Sequence, residues 1–344
     1  MPQTAPPLKD LGLEGREEIS VGFLLLPSFP MACLSSVIEP LRAANEIAQR
    51  NLFVWTLYSE DGASVDCSAG IQFQACGALK DIESVDFLVV LSEPDGQFNA
   101  PNDVSAKLRY LSRHGTRLCA ISGGVFPLAK SGVLDGQTCS VHWLYRTAFE
   151  HAFPQIEVSD DVIAVNQRSF TASGAAAAFD LTLHMIETTL GDAIMTEVAC
   201  WFQHPAIRSP NIRQKTPTFQ TDETADHLPT VVSHAVRLFS ENLEYPLTTR
   251  EIAQQVGVSA RHLERSFRQA VGQSPGEYYR QLRLRAARQL VIYTQDSLTS
   301  IAQAVGYTNP TSMSRQYAEQ FGASPRQDRQ ARNQFRHTRD SFLH

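Results

Sequence analysis

Hydrophobic and polar residues change rhythm along this chain. From residue 20 to residue 190, short continuous apolar runs alternate with stretches of helical period. Ser20–Leu26 reads Ser-Val-Gly-Phe-Leu-Leu-Leu and is bounded by Pro27 and Pro30. A run of this length, apolar on both faces, predicts a strand buried within a sheet. Phe53–Tyr58, Asp86–Leu91 and Arg117–Ile121 are of the same kind. Between them Leu34, Val37, Ile38, Leu41, Ala44 and Ile47 recur at helical spacing and predict a helix over Ala32–Gln49. A second helix is expected over Val104–Arg113. Buried strands alternating with helices predict a parallel sheet covered on both faces. A strand pair is expected around Val162–Ala172, then an apolar helix over Ala175–Leu190. Residues 203–229 carry four prolines and many polar residues without a period, and read as a linker. Beyond it the pattern is helical throughout, opening with Leu228–Asn242. Pro275–Tyr293 forms a long helix with Tyr279, Leu282, Ala286, Leu290 and Tyr293 along one apolar face.

This helical third repeats itself. Ile252-Ala-Gln-Gln-Val-Gly257 returns as Ile301-Ala-Gln-Ala-Val-Gly306, Arg265-x-Phe267 as Arg315-x-Tyr317, and Gly272-x-Ser-Pro275 as Gly322-x-Ser-Pro325. Each copy predicts a short helix stopped at a glycine, a tight turn, an amphipathic helix and a capped start to a third. That is a helix-turn-helix unit in tandem. Thr248-x-x-Glu251 and Ser274-Pro-Gly-Glu277 both fit the capping box, the second with proline at the first helical position. In Ser259–Val271, Leu263, Phe267 and Ala270 are expected to pack inward, while Arg261, Glu264, Arg265 and Arg268 share another face. In the second copy Met313, Tyr317 and Phe321 form the inner stripe, and Thr311, Ser314 and Arg315 face out. Arg, Glu, Ser and Thr can read base edges in a major groove. For one copy an ordinary solvated face explains the pattern as well; two copies with the same turn and cap favour a reading surface.

Charge divides the chain in the same place. The net charge is −6, yet residues 1–225 hold 15 Lys and Arg against 26 Asp and Glu, while residues 226–344 hold 15 Arg and no Lys against 10 acids. A basic carboxy-terminal third places the nucleic-acid surface there, and an acidic remainder is repelled by DNA. The six cysteines include no CxxC pair and none at zinc spacing with His, so neither a metal site nor a disulfide framework is expected. No apolar run approaches a membrane span, and no basic-then-apolar leader opens the chain, which fits a cytoplasmic setting.

The tandem unit, with Gly306-Tyr307 before its second amphipathic helix and Phe321-Gly322-x-Ser324-Pro325 after it, resembles the DNA-binding domain of the AraC/XylS family of bacterial transcription regulators. The resemblance spans about residues 226–330. It implies that the two amphipathic helices enter successive major grooves on one face of double-stranded DNA. It makes Arg261, Glu264 and Arg265, then Thr311, Ser314 and Arg315, the base-reading positions, with Arg268 on the same face. Pro310 departs from the family pattern. It is tolerated in a first turn but removes a side-chain contact, so the second helix is expected to discriminate bases less than the first.

In the amino-terminal part, Arg117-Leu-Cys-Ala-Ile-Ser122-Gly-Gly-Val-Phe-Pro-Leu-Ala129 runs a strand straight into a helix through a sharp turn, as a nucleophile elbow does. Gly132-Val-Leu-Asp135-Gly136, Ser140-Val-His142-Trp143, Ile38-Glu39-Pro40-Leu41 and the Ala-rich closing helix accompany it. Together these residues, over about 20–202, resemble the class I glutamine amidotransferase-like superfamily, and within it the branch fused to an AraC-type domain. The two resemblances imply a flavodoxin-like α/β domain, its parallel sheet sandwiched by helices, followed by an all-α domain with two helix-turn-helix units. The expected divisions are a tail (1–17), a ligand-sensing domain (18–202), a linker (203–225), a DNA-binding domain (226–330) and a second tail (331–344).

Enzymes of that superfamily carry cysteine at the elbow, where this chain has Ser122. A serine hydroxyl needs a positioned base and usually a third group. His142 could be that base, but no acid identifies itself as its partner, and Cys119 is expected inside the strand. The domain is therefore read as a sensor with no catalytic residue and no cofactor. The alternative is an amidase-like or protease-like hydrolase using Ser122, with a DNA-binding appendage. The residues expected around the effector are Phe29, Glu39, Ser122, Gly123, Gly124, Phe126, His142 and Trp143. Elbow N–H groups at a helix start suit a carboxylate, while Glu39 and the rings of Phe29, Phe126 and Trp143 suit an ammonium. A zwitterion is the expected guest, carboxylate on the elbow and ammonium toward Glu39. The resemblance implies an activator, dimeric through its sensor, responding to an amino acid or a quaternary amine such as carnitine or a betaine, with RNA polymerase as a further partner.

Overall fold

The computed structural model describes residues 15–204, 207, 212–214 and 228–331. Residues 1–14 and 332–344 of the two expected tails and most of the expected linker lie outside the described residues. The chain divides into two compact units, residues 1–214 and 215–344.

In the first unit the leading apolar run forms β1 (Ile19–Leu25), followed by α1 (Met31–Ile47) and β2 (Phe53–Ser59). A short hairpin of β3 (Val65–Asp66) and β4 (Gln72–Phe73) and the two-residue β5 (Gly77–Ala78) come next. Then follow β6 (Phe87–Ser92), α2 (Pro101–Arg113), β7 (Arg117–Ser122) and α3 (Val125–Lys130). The short β8 (Thr138–Ser140), α4 (Arg146–Ala152) and β9 (Glu157–Ser159) lead to β10 (Ile163–Val165) and β11 (Ser169–Ala172). Two helices close the unit, α5 (Ala175–Leu190) and α6 (Asp192–Trp201).

Seven strands make one sheet in the order β10-β11-β7-β6-β1-β2-β5. Every neighbour pairs in parallel except β10 with β11, so the expected strand pair is an antiparallel edge on a parallel sheet. β6 is buried along its whole length, as a continuous apolar run must be when helices cover both faces. On one face α1 packs against α5 and α6, and Phe23, Leu34, Val37, Leu41 and Ile186 belong to the core between them. β1 has β2 on one side and β6 on the other. The winding reverses there, and the crevice outside the carboxyl ends of such strands is where open α/β sheets take ligands. Ser122 ends β7 level with Ser92 of β6, at that same edge.

The second unit is helical: α7 (Thr230–Glu241), α8 (Thr249–Val256), α9 (Ala260–Val271), α10 (Pro275–Tyr293), α11 (Leu298–Ala304) and α12 (Pro310–Phe321). A further helix opens at Pro325. Among the described residues no helix is long and apolar enough to cross a membrane.

Candidate DNA-reading helices and ligand crevice

Each helix-turn-helix is fixed by local chemistry. Thr248 accepts a hydrogen bond from the Glu251 N–H at 3.3 Å, and the Glu251 carboxylate accepts the Thr248 N–H at 2.7 Å, closing the capping box of α8. Gly257 ends α8 in the left-handed region, and Ser259 caps α9 by accepting the His262 N–H at 3.2 Å. Leu263, Phe267 and Val271 are fully buried, and Ala270 is half-buried beside them. Arg261, Glu264, Arg265 and Arg268 are all exposed along the other side of the helix. His262, not singled out in the sequence, joins that surface, its Nδ1 lying 3.3 Å from an Arg265 guanidinium nitrogen.

The second copy follows the same plan with different caps. Asn309 caps α12 by accepting the Thr311 N–H at 2.8 Å, and Pro310 occupies the first turn, where its missing N–H costs nothing. Met313 and Tyr317 are fully buried and Phe321 is half-buried. Thr311 and Arg315 are exposed and Ser314 is half-buried. Arg315 lies 3.9 Å from Glu319, an i,i+4 pair open enough to water to be exchanged for other partners. After the helix Ser324 and Gln327 form a second-copy capping box, with the Ser324 N–H donating to Gln327 at 2.7 Å.

At the elbow Ser122 is a non-glycine residue held at φ 54°, in the left-handed region. That conformation costs an L-residue about 1–2 kcal/mol and is found where the surrounding structure enforces it. The enforcement is visible in the next residue. A Cβ on Gly123 would stand 2.4 Å from the Ser92 carbonyl oxygen and 2.6 Å from the Glu93 backbone, so only glycine lets the turn seat against the end of β6. Two of the turn's N–H groups are already committed, that of Gly124 to Ile121 O and that of Phe126 to Gly123 O. Fewer donors are therefore left for a carboxylate than the sequence implied. Ser122 itself is buried.

His142 is arranged as a donor. Its Nδ1 accepts the Leu144 N–H at 3.1 Å, which places the ring proton on Nε2 in the neutral form. Burial pushes its pKa down. A neutral ring with a proton on Nε2 cannot take one from Ser122 through that nitrogen. Cys119 is no substitute nucleophile, because burial pushes its thiol up to about 12. The His142 ring lies beside Trp143 and Tyr145, at 5.5 and 5.3 Å between centroids, and against Gly174 at the start of α5, where a Cβ would meet the ring at 3.3 Å.

The expected ligand wall is redistributed. Phe29 is fully buried edge-on to Phe73 at 5.3 Å, and Phe126 is buried edge-on to Phe149 at 5.1 Å, so both belong to the core. Trp143 is half-buried. Glu39 lies in the middle of α1. Its carboxylate accepts a hydrogen bond from Arg42 Nε at 3.0 Å, on a side chain 45% exposed. It stands eight residues past the start of α1, roughly 12 Å along the helix axis at 1.5 Å per residue. An open cleft lined by Arg42, Glu46, Arg50 and Trp55 lies further along the same helix, at the amino-terminal edge of β2. It is at the wrong end of the sheet for the crevice.

A contact the sequence did not reveal ties the assigned linker to the crevice loop. Ile212 O accepts the Val162 N–H at 2.8 Å, and the Gln214 N–H donates to Asp160 O at 2.8 Å. The Gln214 side chain accepts the Trp143 N–H at 3.0 Å and donates to Val141 O at 2.8 Å. Residues 212–214 are thus strapped to the loop that carries His142.

Comparison with known proteins agrees with both units. Residues 252–331 match the family described as a helix-turn-helix domain, and residues 32–188 match the DJ-1/PfpI family. The chain is 34% identical over 317 residues to the HTH-type transcriptional regulator GbdR of Pseudomonas aeruginosa, covering 92% of this chain and 86% of that protein. It is 33% identical over 308 residues to the HTH-type transcriptional regulator CdhR of the same organism, covering 89% and 90%. To the HTH-type transcriptional regulator GlxA of Rhizobium meliloti it is 31% identical over 315 residues, covering 91% and 96%. Relatives aligned across both units, and not across the DNA-binding part alone, place this chain in the AraC family of DNA-binding transcription regulators, in the group whose amino-terminal domain is of the DJ-1/PfpI, class I amidotransferase-like type.

Proposed function

We propose that this regulator is a homodimeric activator of the cytoplasm in which α9 and α12 read DNA and the crevice at the carboxyl ends of β1, β6 and β7 binds a small metabolite. Arg261, Glu264 and Arg265, with Arg268 beside them, are the contacts of the first helix; Thr311, Ser314 and Arg315 are those of the second. The observation that carries the sensor reading is the state of the elbow. Ser122 keeps the strained backbone of a nucleophile elbow, yet His142 beside the crevice has its Nδ1 occupied and its proton on Nε2. In the neutral form His142 therefore offers no free acceptor nitrogen to a serine hydroxyl. That supports binding without turnover.

The effector class is an amino acid or a quaternary amine, and the Gln214 strap supplies a path from the crevice loop to the chain that leads into the second unit. A thermal-shift screen of amino acids and methylated amines on the full-length protein should find a compound that raises the melting temperature, since a ligand bound only by the folded state does so. That compound should change DNA affinity, and Gln214→Ala should reduce the change while leaving the thermal shift in place. Amide turnover by the purified protein, lost in Ser122→Ala, would support the hydrolase instead.

A further inference from the structure

The two turns of the tandem repeat look alike in sequence and are held quite differently. Around Gly257, at φ 79°, a Cβ would meet nothing within 4 Å. Gly306, its counterpart at φ 70°, is clasped. A Cβ there would stand 2.5 Å from Leu243 O and 2.5 Å from Pro246, both in the loop between α7 and α8. From the other side comes Arg283, midway along α10. Its Nε donates to Val305 O at 2.7 Å and its terminal nitrogen to Gly306 O at 2.5 Å. These are carbonyls at the carboxyl end of α11, which lack partners within the helix. The planar guanidinium satisfies both through its fork, which a point-charge ammonium cannot do in one geometry. The same group lies over the Tyr307 ring, 4.3 Å from its centroid, and the Tyr307 hydroxyl donates to Gln316 of α12 at 2.9 Å.

We infer that Arg283 is a positioning residue for DNA recognition: acting through Val305, Gly306 and Tyr307, it fixes the spacing and angle of α12 relative to α9. The inference rests on the reading of those two helices as the DNA contacts. Arg283 is half-buried beneath the turn and is assigned no contact with DNA. Its effect arises because the two helices bind as a linked pair. When a linked pair is held in register, the second contact is made at high effective concentration, and that gain disappears when geometry forbids both contacts at once.

The test uses the full-length protein and a duplex selected by it from a randomised pool. Three probes are derived from that duplex: the selected sequence, one with the box for α12 scrambled, and one with two base pairs inserted between the boxes. For the wild type, insertion and scrambling should each weaken binding by about tenfold or more, since linked contacts commonly add 10²–10⁴-fold. Arg283→Ala should bind the selected duplex no better than the wild type binds the scrambled one, bind the scrambled one within about twofold of wild type, and lose its sensitivity to the insertion. Arg283→Lys should fall between. Tyr307→Phe, which removes only the hydroxyl link to Gln316, should relax the spacing requirement in the same direction and covers the case in which Arg283→Ala does not fold. Equal losses on all three probes, or an unchanged spacing requirement in Arg283→Lys and Tyr307→Phe, would overturn the assignment. Arg261→Ala separates this from the reading it rests on: it should weaken both the selected and the scrambled duplex, and if it weakens neither, the assignment of α9 fails by itself.

Discussion

The first helix-turn-helix is held by rings and the second by guanidinium groups. Around Phe239 of α7 gather Tyr279 at 4.4 Å, Phe267 at 5.8 Å and Tyr278 at 6.3 Å between centroids. In the second helix-turn-helix Tyr317 is just as deeply buried, but its hydroxyl donates to Asp328 at 2.7 Å. Arg288 lies 2.8 Å from the same carboxylate and 4.7 Å from the centre of the Phe321 ring. Arg329 donates to the carbonyls of Val291 and Asp296, each at 3.0 Å, and Arg283 grips the turn. Apolar burial is strong and without direction. Forked hydrogen bonds add less stability but fix an angle. The first helix-turn-helix therefore anchors the domain, and the second is oriented upon it.

That comparison can be broken by substitution. Phe267→Ala should have the largest effect, destabilising the second unit by about 3–5 kcal/mol as a cavity opens inside the aromatic cluster. Its urea midpoint should fall steeply, with DNA binding lost on every sequence. Tyr317→Phe keeps the ring and removes one hydrogen bond to a half-buried carboxylate, so about 1–2 kcal/mol is expected. A loss as large as that of Phe267→Ala would mean that the second helix-turn-helix depends on polar contacts for stability as well as for orientation.

Acid sharpens the same picture at its smallest scale. The hydrogen bonds that Glu251 accepts from the backbone and side chain of Thr248 hold its carboxyl below the ordinary value of 4.5, and the Ser274 side chain and backbone do the same for Glu277. A depressed folded pKa means stabilisation that is complete above the unfolded value and lost as pH falls through the folded one. The stability gap between wild type and Thr248→Ala should thus be constant near neutrality and narrow below about pH 4.5, leaving the share of the hydroxyl that accepts the Glu251 N–H. A gap that is unchanged in acid would show that the bond from the Thr248 hydroxyl to the carboxylate adds nothing to the cap.

Much of this was legible because it is local. Capping boxes, left-handed glycines and helical stripes are set by residues three or four apart, so Thr248, Ser274, Gly257 and Phe267 announce their roles in the sequence alone. The continuous apolar runs gave the parallel strands for the same reason. Glu39 was singled out because its sequence neighbours Ile38 and Pro40 are apolar; on a helix adjacent residues point to different faces, and its partner in the structure is Arg42, three residues on. Phe29 and Phe126 were expected to face a ligand, but nothing in a sequence distinguishes a ring at a crevice from one packed against Phe73 or Phe149. The strap at 212–214 escaped because it lies in a proline-rich stretch without period and pairs with residues 50 to 73 positions away, through backbone groups and one glutamine. Ser122 was found by its glycines, while the tautomer of His142 is set by the Leu144 N–H, which the sequence does not show.

The central claim is that α9 and α12 read adjacent turns of one face of the DNA. Hydroxyl-radical footprinting of the full-length protein on its selected duplex tests this directly. Two protected patches per protomer are expected, one helical turn or roughly 10 base pairs apart. Arg261→Ala should weaken the patch of the first helix, and Arg315→Ala that of the second. A single short patch per protomer, or equal weakening of both patches by either substitution, would contradict the account.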